Sequence, residues 1–231
     1  MTAAGGGPWQ TAAGWRQISG VTAMELREFP IRHRRWADLL LFGVTLVEFG
    51  VLLYLTPTFS LIDWIYLLQH LVVLGIALTR PAPEIQDISL LSGFAVAAAY
   101  AYPYAEIIWL RWRPREEAWP EAGLLLVTVA AALSLGSLLT LGRFFGIRPA
   151  MRGLATRGPY RAVRHPMYLS YMISDIGYNF QEWNAGTALL TLCGWIALLY
   201  RIHAEEQVLS HHADWIQYRA AVRYRLIPGV W

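Results

Sequence analysis

The chain has 231 residues, of which 56% are hydrophobic and 15% are charged, and its formal net charge is +3. This composition excludes a soluble domain of that size and indicates a protein with several membrane-spanning helices. All 19 basic residues are arginine and most lie beside apolar runs, so we expect no nucleic-acid partner; the single cysteine, Cys193, excludes a disulfide within the chain.

The N-terminal segment precedes any apolar run. Residues 1–20 are rich in glycine and alanine and too poor in clustered apolar side chains to form a core, which predicts a mobile tail. A short interfacial helix is expected at 21–31. The first apolar run begins only after Arg35 and contains Glu48, so the N-terminus lacks the pattern of a cleaved signal peptide. We therefore assign 1–35 to a tail and interfacial segment.

The lengths of the apolar runs predict the membrane spans. A bilayer core of about 30 Å requires about 20 apolar residues at about 1.5 Å each. The runs that meet or approach this length are 36–55, 61–79, 87–109, 121–141, 166–181 and 184–203. The fifth is short and contains Asp175, so five spans is the alternative. The sequence predicts an all-α, polytopic membrane helix bundle with six or five transmembrane helices, the first four within 36–141.

Arginine placement predicts the orientation of the bundle. If both termini are cytoplasmic and the spans are six, sixteen arginines fall on the cytoplasmic side and three on the opposite side, at positions 111, 113 and 115. Such an excess is typical of cytoplasmic loops. We expect an integral protein of a bacterial inner membrane with its polar motifs facing the cytoplasm.

Four ionisable residues lie within or close to the apolar runs: Glu48, His70, Glu106 and Asp175. Such residues are costly in a bilayer and often functional, but the simpler interpretation is that they pair with one another or lie near the interface. We do not assign them catalytic roles. No metal site is expected either, because the adjacent residues His211 and His212 cannot face one ion from the same side of a helix.

A basic, proline-containing stretch, G-P-Y-R-A-V-R-H-P-M-Y-L-S-Y, occupies 158–171. Pro166 suits the first turn of a helix, because its missing N–H has no helical partner there and its φ is already helical. His165 should then lie just outside the helix, beside Arg164 and at the positive end of the helix dipole. This arrangement favours an anion.

A second polar stretch follows about forty residues later, where an apolar run ends in Glu205 and Glu206. If Pro166 begins one helix and this pair ends the next, the two helices form a hairpin whose open ends meet. Arg201 lies four residues before Glu205 and can pair with it on the same helix face. That pairing leaves Glu206 as the freer carboxylate for a ligand.

These stretches resemble a known family of membrane enzymes. The motif G-P-Y-R-x-V-R-H-P-M-Y, the later R-x-x-x-E-E-x-x-L, and the closing segment from Tyr218 to Pro228 are similar to the isoprenylcysteine carboxyl methyltransferase and phospholipid N-methyltransferase superfamily. The resemblance covers about 141–228, including L-G-x-x-F at its start. One position departs from the family pattern, since Ser170 stands where glycine is usual.

The resemblance implies that 142–231 is a cofactor-binding region for S-adenosylmethionine. The cofactor-binding residues that we assign from it are Tyr160, Arg164, His165, Tyr168, Ser170, Glu205 and Glu206. Arg164 and His165 are also the candidate catalytic residues. Arg164 and the helix start suit the cofactor's carboxylate, and one of the two glutamates suits its ammonium group or ribose hydroxyls. A base is needed only for an acceptor that must lose a proton, and His165 is the first candidate.

The predicted activity is transfer of a methyl group from S-adenosylmethionine to a lipid-like or prenylated acceptor in the membrane. Within the same class, a phospholipid amine or a small thiol are alternative acceptors. From other classes, an NADPH-dependent membrane sterol or enone reductase and a non-catalytic membrane protein remain alternatives. The oligomeric state is left open.

Overall fold

The computed structural model describes residues 26–27, 34–55, 61–81, 83, 85–112 and 119–231. Within these residues the helices are α1 (Arg34–Leu55), α2 (Leu61–Thr79), α3 (Leu90–Trp112), α4 (Pro120–Leu141), α5 (Pro166–Gln181), α6 (Ala185–Leu209) and α7 (Ala213–Ala221). Two 3₁₀ helices, Gly142–Phe144 and Gly158–Arg161, lie between α4 and α5. The predicted all-α membrane fold is confirmed.

The predicted spans correspond to helices α1 to α6. Among the described residues, three stretches are long and apolar enough to cross a membrane by length and composition: Leu61–Thr79, Pro120–Phe144 and Ala185–Leu209. The total number of spans remains a prediction. α5 begins at Pro166 as expected, with His165 as its N-cap residue outside the helix. Asn184 caps α6, since its side chain accepts a hydrogen bond from the backbone N–H of Gly186 at 2.8 Å.

A small antiparallel sheet was not predicted. Its strands are β1 (Leu26–Arg27), β2 (Ile85–Asp87) and β3 (Ala150–Met151), in the order β1-β2-β3. Strands of two or three residues are too short to show an alternating apolar pattern. The expected interfacial helix at 21–31 is wrong at 26–27, which form a strand. The remainder of that segment, and the predicted tail at 1–20, lie outside the described residues.

Glycines allow close contacts between helices of the bundle. A Cβ atom built on Gly123 in α4 would lie 2.5 Å from the backbone oxygen of Gly177 in α5. The α3–α6 contact is similar, because a Cβ atom on Gly194 would lie 2.5 Å from the ring of Tyr102. Small residues allow helix backbones to approach closely in membranes. The Gly123–Gly177 contact fixes the short helix α5 against α4. It therefore also fixes the position of the residues at the N-terminus of α5.

The closing segment of the chain packs against the start of α5. The backbone N–H of Arg164 donates to the carbonyl of Tyr224, and that of His165 donates to the carbonyl of Arg225, each at 2.9 Å. A buried hydrophobic cluster connects β3, the second 3₁₀ helix, the C-terminal end of α6, and α7. Its members are Met151, Ala155, Tyr160, Val208, Leu209, Trp215 and Tyr218. The two ends of the predicted hairpin and the C-terminal segment therefore form one structure.

We predict that Gly177→Ala destabilises the protein by about 1–3 kcal/mol, because the added methyl group overpacks the α4–α5 contact. A Cβ atom at this position would lie 2.8 Å from Cγ2 of Val127 and 2.9 Å from the oxygen of Gly123. Gly43→Ala in α1 is the matched control, since nothing lies within 4 Å of its added Cβ atom. Thermal unfolding in detergent measures both variants, and equal melting temperatures would contradict the packing argument.

Candidate functional site

Glu206 lies at the centre of a charged cluster where α5 begins and α6 ends. Its Oε1 accepts a hydrogen bond from Nε of Arg164 at 2.8 Å and lies 3.2 Å from Nε2 of His165. Its Oε2 accepts from Nε of Arg225 at 2.9 Å. The residue is only 7% exposed. The predicted meeting of an Arg/His cluster with the end of α6 is confirmed. The carboxylate of Glu206 is already bound by cationic side chains of the protein.

The guanidinium of Arg164 is held at a second point. Its Nη1 donates to the carbonyl of Val222 at 2.9 Å and to that of Arg223 at 2.7 Å. These bonds to the backbone join the segment after α7 to the turn before α5. Arg164 therefore has a fixed orientation before any ligand binds.

The predicted pairing of Arg201 with Glu205 is wrong. Arg201 instead donates from Nη2 to the carbonyl of Ile147 at 2.9 Å, and its guanidinium lies over the rings of Tyr100 and Tyr168, 5.6 and 5.4 Å from their centres. Glu205 accepts a hydrogen bond from the hydroxyl of Tyr168 at 3.0 Å. The relative freedom of the two glutamates is thus the reverse of the sequence expectation. Glu205 is partly exposed, and Glu206 is buried among cations.

One cavity of about 420 Å³ opens beside this cluster and extends between the helices. A volume of this size is typical of small-molecule sites. Residues that line its charged end include Tyr160, Arg164, His165, Tyr168, Arg201, Glu205, Trp215 and Tyr218. Residues that line its inner end, between α1, α2, α3 and α5, include Glu48, Tyr66, His70, Tyr102, Tyr104, Tyr171, Asp175 and Tyr178. The cavity therefore connects a charged region with a tyrosine-rich region inside the bundle.

Five of the seven residues assigned from the resemblance line this cavity: Tyr160, Arg164, His165, Tyr168 and Glu205. Glu206 and Ser170 are not among the described residues that line it. Ser170 is only 1% exposed, and its hydroxyl donates to the backbone carbonyl of Met167 at 2.7 Å. The hydroxyl is thus satisfied within α5, and it faces protein.

Two of the cavity-lining residues that were not assigned from the sequence have buried donors that could bind a ligand. Nε of Arg201 and Nε1 of Trp215 are buried donors without a hydrogen-bond partner among the described residues. Arg201 is 6% exposed and Trp215 is 2% exposed. A buried donor left unpaired costs about 1–3 kcal/mol, so such groups call for a partner. The D-W-I-Q-Y stretch that contains Trp215 was the available signal, but the sequence does not show that it folds onto the hairpin.

Two tyrosines outside the membrane spans complete the charged end. The hydroxyl of Tyr218 donates to the backbone carbonyl of Tyr160 at 2.7 Å. Burial raises the pKa of Tyr218, although the nearby Arg164 charge opposes this effect. Burial also raises the pKa of Tyr160, and the charge of Glu205 adds to the increase. Both phenols therefore stay protonated and act as hydrogen-bond donors at neutral pH.

Glu48 and His70 pair with one another, as the simpler interpretation required, whereas Asp175 and Glu106 accept hydrogen bonds from uncharged side chains. His70 Nε2 lies 3.9 Å from Oε2 of Glu48, and Asp175 Oδ2 accepts from the hydroxyl of Tyr102 at 2.8 Å and from Nε1 of Trp195 at 2.7 Å. A further bond, from the hydroxyl of Thr191, reaches Glu106. Glu48, His70 and Asp175 nevertheless line the cavity, so their pairing and their access to a ligand are compatible.

The apolar helices indicate an integral membrane protein, and the cavity lies between its helix ends. Residues 121–212 match the family model for phospholipid methyltransferases. The match runs from the first turn of α4 to the N-cap of α7 and covers less than half of the chain. The match shows that this segment is similar to membrane methyltransferases. No curated protein matches the chain.

We predict that Glu206→Gln lowers the stability of the ligand-free protein by about 3 kcal/mol, because it leaves two guanidinium groups in a largely buried cluster without their counter-charge. Glu205→Gln is the matched neighbour and should cost much less, since its amide oxygen can still accept from the Tyr168 hydroxyl. Thermal unfolding of the two variants tests the assignment. A larger loss in Glu205→Gln would contradict it.

Proposed function

We propose that the protein is an S-adenosylmethionine-dependent methyltransferase acting on a lipid-like or prenylated acceptor. The supporting observation is a continuous cavity that joins the charged helix ends to an aromatic region within the bundle. A polar methyl donor suits the first region, and an acceptor arriving from the bilayer suits the second. The family match to residues 121–212 supports methyl transfer and leaves the acceptor undefined.

The residues at the charged end fit the functional groups of S-adenosylmethionine. Its carboxylate requires cationic or neutral donors, and unpaired donors are present on Arg201 and Trp215. Its ammonium group or ribose hydroxyls require an acceptor, which the partly exposed carboxylate of Glu205 supplies. The positive sulfonium is favoured by aromatic faces, and Tyr168 lies between Arg201 and Glu205. When bound, the cofactor supplies an electrophilic methyl group.

Different members of the assigned set then have different roles. Glu205, Tyr168 and Tyr160 lie at the cavity wall and are proposed to contact the cofactor. Arg164 and His165 also line the wall, where the fixed charge of Arg164 favours the cofactor's carboxylate. Glu206 is proposed to hold Arg164 and His165 in place without touching the cofactor. Ser170 is proposed to keep α5 closely packed, which its small size permits.

The orientation of the bundle follows from the proposed cofactor. The charged end of the cavity is formed by 142–231, the region rich in arginine, and S-adenosylmethionine is a cytoplasmic metabolite. We therefore propose that this end and both termini face the cytoplasm of a bacterial inner membrane. Reporter fusions near Arg157 and Arg219 test this proposal, because both positions should be cytoplasmic. Opposite locations would contradict a site shared by the two segments.

We expect S-adenosylhomocysteine to raise the melting temperature of the purified protein and NADPH to leave it unchanged. A ligand present at many times its Kd stabilises the folded state by a few kcal/mol. Trp215→Phe, which removes the unpaired indole N–H, should weaken S-adenosylhomocysteine binding about fivefold, the value of one hydrogen bond of about 1 kcal/mol. Trp183→Phe, at an exposed position near the other end of the α5–α6 hairpin, is the control.

Stabilisation by NADPH instead of S-adenosylhomocysteine would favour the reductase alternative, and stabilisation by neither would favour a non-catalytic protein. The acceptor is identified separately. Membranes that contain the protein are incubated with methyl-labelled S-adenosylmethionine, and the labelled product is extracted. Label in the lipid fraction supports a lipid-like acceptor, whereas label confined to a water-soluble thiol contradicts it.

A further inference from the structure

The inner end of the cavity contains a histidine–carboxylate pair that lies outside the family-matched segment. His70 is in α2, and Glu48 is in α1. Tyr104 of α3 donates its hydroxyl to Oε1 of Glu48 at 3.0 Å. The side chains of His70 and Glu48 are 22% and 23% exposed, and both line the cavity. An ionisable pair with access to a cavity inside a membrane bundle is by default a candidate functional site.

The hydrogen bond to the backbone sets the tautomer of His70. Its Nδ1 lies 2.7 Å from the carbonyl oxygen of Tyr66. A carbonyl oxygen can only accept, so Nδ1 carries the hydrogen of that bond. In the neutral ring, Nε2 then has the free lone pair. This is the nitrogen that lies on the Glu48 side of the ring, and it is the atom able to accept a proton.

Glu48 is placed to stabilise the protonated ring. Its Oε2 is 3.9 Å from Nε2 of His70, which is beyond hydrogen-bond length but close enough for a strong charge interaction. The hydroxyl of Tyr104 holds the other carboxylate oxygen. The gap between Nε2 of His70 and Oε2 of Glu48 leaves the nitrogen lone pair without a hydrogen-bond partner among the described residues.

His165, the base candidate from the sequence, lies in a less suitable environment. Its Nε2 faces Glu206 at 3.2 Å, so this nitrogen is already a donor to a carboxylate. The same carboxylate is shared with Arg164 and Arg225. The two histidines therefore differ in their surroundings: the carboxylate beside His165 is shared with two arginines, and the carboxylate beside His70 accepts from the hydroxyl of Tyr104.

We propose that His70 is the general base of the methyl transfer and that Glu48 is its positioning residue. This inference rests on the proposed function and specifies its acceptor. The attacking atom must carry a proton that it loses, as an ammonium, thiol or hydroxyl group does and a carboxylate does not. The attacking atom passes its proton to Nε2 of His70 and bonds the methyl carbon with the lone pair that it then has available. The electron pair of the broken methyl–sulfur bond stays on sulfur, so atoms and charges balance.

The test separates cofactor binding from transfer. Full-length wild type, His70→Gln and Glu48→Gln are reconstituted with lipid extracted from membranes that show labelling. Calorimetry measures S-adenosylhomocysteine affinity, and methyl-labelled S-adenosylmethionine measures the rate at which label enters the extract. His203→Gln and Glu121→Gln, both at exposed positions, are the matched controls. We expect His70→Gln to bind S-adenosylhomocysteine like wild type and to transfer at least about 100-fold more slowly, the usual contribution of a general base.

Glu48→Gln keeps the acceptor oxygen for Tyr104 but removes the charge, so it should also retain binding and transfer about tenfold more slowly. This variant decides the question if His70→Gln does not fold. Wild-type transfer rates in both variants would overturn the inference and leave the proposed function intact. Loss of S-adenosylhomocysteine binding in the variants would overturn it as well, because the pair would then belong to the cofactor site. A wild-type protein that neither binds S-adenosylhomocysteine nor transfers label would overturn the proposed function itself.

Discussion

The ion pairs of Glu206 connect three parts of the chain that are distant in sequence. Arg164 precedes α5, Glu206 lies near the end of α6, and Arg225 lies in the closing segment. A carboxylate this buried is stable only with its cations in place, and the cations in turn depend on it. Arg164 also binds the carbonyls of Val222 and Arg223. The wall of the site can therefore form only when the hairpin and the C-terminal segment have both folded.

The adjacent residues Glu205 and Glu206 have different surroundings because consecutive side chains of a helix point in different directions. Consecutive residues point about 100° apart, so Glu206 faces the charged cluster and Glu205 faces the cavity. Tyr168, one turn into α5, binds Glu205 and lies under the guanidinium of Arg201. A single helix end thus supplies one anion for the charged cluster and one for the cavity wall. The ion pairs of Glu206 with Arg164 and Arg225 allow this charged region to be stable beside an apolar bundle.

Much of the fold was predictable because the bilayer restricts it. Apolar length located the six long helices, and Pro166 located the start of α5. The partners of the site were less predictable, since each depends on the path of a distant segment. Arg225 reaches Glu206 only through the closing segment, and Arg201 bonds to the carbonyl of Ile147 rather than to its own helix neighbour. Residue spacing along one helix could not reveal either contact.

The cavity also shows why a motif-based description covers only part of the site. The family-matched segment supplies the charged end, through α5 and α6, whereas α1, α2 and α3 supply much of the inner end. The functional groups of the inner end, such as His70 and Tyr104, lie on separate helices with no fixed spacing in sequence. Under the proposed function, the choice of acceptor is therefore expected to depend on α1, α2 and α3, and binding of the methyl donor on α5 and α6.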